Sequence, residues 1–100
     1  MEIKKTQNDE NILLSLEGRL DTLTATKLQE AFVEVFSTAA TIDLDFAGVD
    51  YISSAGLRVL LLGEKNAKAA GKTLTLKNVS AEVMEIFDIT GFTGILNIIL

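Results

Sequence analysis

The sequence contains no cysteine and no histidine. Missing thiols exclude a disulfide framework and any thiolate-ligated metal. Without either residue there is no Ser-His-Asp triad, no Cys-His pair and little with which to hold a transition metal, so a Ser-Lys arrangement is the one familiar serine-nucleophile option left. Lys65 and Lys68 are the candidates for it, and solvent is the simpler destination for both. Phosphate cradles are missing too: no G-x-x-x-x-G-K-[ST] run occurs, and Gly91-Phe92-Thr93-Gly94 lacks the strand-turn-helix setting of a dinucleotide fingerprint. The sequence therefore carries no visible catalytic apparatus, and no cofactor is expected.

Positive charge is scarce and scattered, nine Lys and Arg against fourteen Asp and Glu for a net charge of -5. Neutralising nucleic-acid phosphates needs clustered cations, so no nucleic-acid partner is expected and a basic or cationic partner fits better. No apolar run approaches the roughly 18 residues that cross a bilayer, which argues against direct membrane insertion. Residues 1–10 carry no apolar h-region for secretion, and the cytoplasm is the expected location.

What the sequence does have is apolar mass: 48% of its 100 residues are hydrophobic and 23% charged, enough for one compact domain over residues 1–100. Ile3 and Lys5 suggest a weak strand. Asn8-Asp9-Glu10-Asn11 is a turn, and residues 12–18 form a stronger strand with Leu14 and Leu16 on one face, so the two strands make a hairpin. Cap-type residues at 20–24 precede Ala25, Leu28, Phe32, Val35 and Phe36, whose spacings of three and four predict an amphipathic helix.

Thr41 to Phe46 alternates as a strand with Ile42, Leu44 and Phe46 on one face, and Gly48 and Asp50 then read as a loop. A helix follows from Ser54 to about Ala70, closed by Gly71; its Leu57, Val59, Leu60, Leu61 and Leu62 call either for cover on two sides, the favoured reading, or for an apolar surface offered to a partner. Residues 72–77 alternate again as a strand. Ser80 caps a third helix carrying Val83, Ile86 and Phe87, and Ile95 to Leu100 is a last strand. The order β-β-α-β-α-β-α-β defines an α/β fold with a mixed sheet, because strand-helix-strand units pair in parallel whereas the hairpin is antiparallel.

Two places could carry function. Asp43, Asp45 and Asp50, with Asp21 from another loop, offer oxygen ligands of the kind Mg²⁺ prefers. The alternation of Asp43 and Asp45 with apolar neighbours instead assigns them to a solvated strand face, and no metal site is expected. The second place is Ser53-Ser54-Ala55-Gly56, where hydroxyls sit at a helix start amid unpaired N–H groups and partial positive charge. Either serine could be the N-cap.

These segments resemble the STAS family, the anti-sigma factor antagonists and related domains of sulfate transporters, over residues 2 to about 97. The similarity rests on Gly18-Arg19-Leu20-Asp21 with Thr24 or Thr26, on residues 43–52, on Ser54-Ala55-Gly56-Leu57-Arg58-Val59-Leu60, and on Phe87-Asp88-Ile89-Thr90-Gly91-Phe92. It implies a single STAS domain that lacks the extra C-terminal helix many members carry, leaving an apolar end that is either a paired terminal strand or an exposed edge that favours self-association. It also implies a binding function: the antagonist binds an anti-sigma factor that is a serine kinase, so releasing a sigma factor, and is switched off when that kinase phosphorylates it. A serine phosphatase restores it.

The family acceptor lies two residues before a glycine, which maps onto Ser54. Ser53 departs from the pattern, since many phosphorylated members have aspartate there. The resemblance implies a partner-binding surface of Asp21, Thr22, Thr24, Gly48, Asp50, Ser53, Ser54 and Arg58. The alternative is a constitutive assembly subunit of a transporter or signalling complex without phosphoregulation.

Overall fold

In a computed structural model, which describes residues 1–99, the chain forms β1 (Glu2–Asn8), β2 (Asn11–Leu20), α1 (Thr22–Phe36), β3 (Thr41–Ile52), α2 (Ser54–Ala69), β4 (Thr73–Lys77), α3 (Ala81–Thr90) and β5 (Asn97–Ile99). A single 3₁₀ turn, Phe92–Gly94, lies between α3 and β5. The strands stand in the sheet in their chain order, β1 antiparallel to β2 and all later neighbours parallel.

That order places the helices. Each crossover moves one strand along in the same direction, so right-handed connections lay α1, α2 and α3 on the same face. The facing side chains are the alternating apolar ones: Ile12, Leu14 and Leu16 of β2, Ile42, Leu44 and Phe46 of β3, and Leu74 and Leu76 of β4, all buried. Phe87 of α3 meets Phe46 with ring centroids 6.3 Å apart and planes tilted by 55°, a favourable aromatic geometry. The other face carries polar side chains, including Asp43 paired with Lys77 at 3.0 Å and Asn78 donating to Asp45 at 3.1 Å.

The apolar excess of α2 is absorbed from two sides. Val59 and Leu60 are buried toward the core, while Gly63 lets α1 approach so closely that a Cβ there would stand 2.7 Å from Phe32 Cε2. Leu62 alone of the apolar run is left 43% exposed.

Two sequence expectations are corrected. Gly48 and Asp50 do not form a loop, because β3 runs on to Ile52. The alternation that marks a strand fails there through two bulges. Between Ser15↔Asp45 and Glu17↔Gly48, and again between Gly18↔Val49 and Arg19↔Tyr51, β3 uses one residue more than β2. Phe46, Val49 and Ile52 consequently all face the core at spacings of three, a pattern that does not read as a strand. The last strand is also shorter than expected: Ile95 caps the 3₁₀ turn and β5 begins at Asn97, while Leu100 lies outside the described residues.

Candidate functional site

The carboxyl ends of β2 and β3 lie side by side, with Leu20 opposite Ile52. The Ser53 N–H donates to the Leu20 carbonyl at 2.9 Å, tying the entry of α2 to the entry of α1. This bond brings Asp21 and the two serines to one end of the sheet, the carboxyl end of the strands, where ligands of open α/β sheets bind.

The two helix starts are built differently. Asp21 is the N-cap of α1: its Oδ1 accepts from the backbone N–H groups of Leu23 at 3.0 Å and Thr24 at 3.1 Å. Thr24 completes the reciprocal box, its Oγ1 accepting from the Asp21 N–H at 2.9 Å and donating to the Arg19 carbonyl at 2.6 Å. These bonds, the Thr24 N–H foremost, hold the Asp21 carboxyl below the ordinary aspartate range, and the Arg19 charge acts in the same direction. Thr22 is exposed on the first turn, beside a Leu23 that is 86% exposed.

At α2 the cap is Ser53, whose Oγ accepts from the Gly56 N–H at 3.4 Å. Ser54 is the first helical residue and is exposed, so its hydroxyl is not the one committed to capping. Gly56 is required by the packing: a Cβ there would lie 2.8 Å from Leu20 Cγ, 2.9 Å from Ile52 Cγ1 and 2.9 Å from the Leu20 carbonyl oxygen. The glycine thus seats the first turn of α2 on the ends of β2 and β3 and fixes where Ser54 stands.

Of the remaining expected site residues, Asp50 and Arg58 are exposed, Asp50 as the extra residue of the second bulge and Arg58 one turn into α2. Gly48 is set back from this end, in mid-strand opposite Glu17. Two residues that sequence reasoning left out belong to the same end. The Arg19 guanidinium stacks 4.1 Å above the Tyr51 ring, with its Nε 3.7 Å from Asp21 Oδ2. The signal for them was the pairing of Arg19 with Tyr51, which is hidden until the bulges are counted.

Asp43 and Asp45 lie on the helix-free face, engaged with Lys77 and Asn78, and do not converge with Asp21. Among the described residues no three His, Cys, Asp or Glu side chains gather as a metal site would require. No helix among them is long and apolar enough to cross a membrane.

The chain is thus an α/β domain with a mixed sheet, helices on one face, and two capped helix starts beside an exposed serine at one end. A family model described as "Mlab, STAS domain" matches residues 3–99, and the chain belongs to that STAS-domain family. The anti-sigma-B factor antagonist of Bacillus subtilis is 33% identical over 92 residues, covering 92% of this chain and 84% of that one. The phosphorylated form of the Bacillus cell fate determinant SpoIIAA superimposes with a TM-score of 0.76 at 17% identity, over 99% of this chain and 92% of that one. A sulfate transporter family protein from Wolinella succinogenes shares the fold with a TM-score of 0.81 at 19% identity, over 93% and 76% of the two chains.

Proposed function

We propose that this protein is an anti-sigma factor antagonist that binds a serine-kinase anti-sigma factor through the end of the sheet bearing Asp21 and Ser54, and that phosphorylation of Ser54 ends the binding. The observation that carries this reading is the division of labour at α2, where Ser53 caps the helix and leaves the neighbouring Ser54 exposed. The antagonist name of the Bacillus subtilis relative and the phosphorylated form of SpoIIAA support it.

In the reaction, Ser54 Oγ forms a bond to the γ-phosphorus of ATP as the bond to ADP breaks, and the hydroxyl proton passes to a base on the kinase. The product carries roughly -1.5 to -2 charge at a helix N-terminus, which tolerates it. The switch therefore acts at the interface and not through unfolding. A phosphate there occupies contact volume and resists desolvation, and a loss of about 3 kcal/mol weakens binding more than a hundredfold.

The test is a comparison of Ser54→Asp and Ser54→Ala in binding to a candidate kinase, with mass spectrometry of the protein after incubation with kinase and ATP. Retained binding by the alanine variant, lost binding by the aspartate variant and phosphate on Ser54 are the expected results. Equal binding by both variants overturns the switch and favours the second reading, a constitutive assembly subunit. Ser53 is what speaks for that second reading, since it stands where many phosphorylated family members carry aspartate.

A further inference from the structure

We infer that Arg58 is a built-in clamp for the phosphate of phosphorylated Ser54. The inference rests on the reading of Ser54 as a phosphorylation site and concerns how the phosphate is held there.

Ser54 and Arg58 lie four residues apart in α2, and both are exposed. Residues at that spacing are neighbours on a helix surface, with Cβ atoms about 5–6 Å apart. The order is the favourable one, an anion one turn N-terminal to a cation, which also suits the helix dipole. Helical side chains lean toward the N-terminus, so a long side chain at 58 reaches back over the turn that holds Ser54.

Nothing on the helix competes. The positions three and four away from Arg58 are Ser54, Ala55, Leu61 and Leu62, of which only Ser54 is polar. Among the described residues Arg58 joins none of the ion pairs, which are Lys5–Glu34, Arg19–Asp21 and Lys77–Asp43. The chain has only two arginines among its nine basic residues, Arg19 and Arg58. Arg19 is already held by Tyr51 and Asp21, which leaves Arg58 as the free guanidinium near Ser54. A guanidinium matches two phosphate oxygens at once, which an ammonium cannot do.

The experiment uses the full chain with phosphoserine installed at position 54 during biosynthesis, so that no kinase is needed, and follows the ³¹P signal across pH. The clamp favours the dianionic phosphate, so the second phosphate pKa in the parent protein is expected about 0.4 pH unit below that in Arg58→Gln. Arg58→Lys is expected to recover part of the shift, and Arg19→Gln to leave it unchanged. The Arg58 Nε resonance should move on phosphorylation. An identical titration in the parent and Arg58→Gln proteins, or a shift that follows Arg19 instead, overturns the clamp and leaves the phosphoswitch intact. A kinase that leaves Ser54 unmodified sinks the phosphoswitch while the ³¹P titration still decides the clamp.

Discussion

Replacing Gly56 with alanine sets two well-characterised effects against each other, and their sum has a definite sign. Alanine in a helix interior is favoured over glycine by about 1 kcal/mol, somewhat less in a first turn. Against this, the new methyl would lie 2.8 Å from Leu20 Cγ and 2.9 Å from both Ile52 Cγ1 and the Leu20 carbonyl oxygen. Leu20 and Ile52 are both buried, and the Leu20 carbonyl is fixed by the Ser53 N–H at 2.9 Å, so the backbone atom cannot yield without breaking the tie between β2 and α2.

Overpacking costs about 1–3 kcal/mol, and with a fixed backbone carbonyl among the atoms struck the upper half of that range, about 2–3 kcal/mol, applies, which leaves Gly56→Ala destabilised by about 1–2 kcal/mol. In a 100-residue domain that lowers Tm by roughly 5–15 °C. Thermal and urea melts give the number. Gly94→Ala is the control, because nothing lies within 4 Å of a Cβ there, and it should change stability by less than about 0.5 kcal/mol. If Gly56→Ala matches or exceeds the parent in stability, propensity outweighs the clash and the seating of α2 on Leu20 and Ile52 is wrong.

Further outcomes follow from individual groups. Burial raises the Glu64 pKa above the ordinary glutamate range, with Lys68 pulling weakly the other way. A raised carboxylate pKa means that the charged form is disfavoured by folding. The penalty is absent below the unfolded pKa of about 4.3, grows as pH rises to the folded value and is constant above it. Glu64→Gln should therefore raise Tm at pH 7 and lose that advantage at pH 4, as read by melts at the two values. Ser53→Ala removes the α2 cap, and because its bond to the Gly56 N–H is long at 3.4 Å, the loss should fall at the low end of the capping range, about 0.5 kcal/mol in a urea titration. Phe87→Ala empties the space against Phe46 and should cost about 3–5 kcal/mol, visible as a large drop in the urea midpoint.

Element types and order were legible in the sequence wherever a single period held. Ala25, Leu28, Phe32 and Val35 keep a helical spacing and are all buried in α1, and Ile42 and Leu44 keep a strand spacing in β3. The reading failed where two periods collided, because the bulges at Ala47 and Asp50 turned a strand into what looked like a loop. The candidate site was legible as a stretch of sequence but not as a division of roles between its two serines. Both serines suit a cap, and only the direction of the Gly56 N–H separates Ser53 from Ser54. Arg19 and Tyr51 were hidden for a different reason: their partnership crosses two strands whose register the sequence does not state.

The agreement between strand order and chain order has a consequence for how the fold is made and used. No strand has to slip between two that are already paired, so a chain leaving the ribosome can add each strand and its helix to an existing edge. The first and last strands lie on opposite edges, yet β1 begins opposite Glu17 and β5 runs parallel to β4, so β1 starts at, and β5 runs toward, the end of the sheet that carries Ser54. A domain fused at either end would therefore attach beside that surface, flanking Ser54 from the two edges of the sheet.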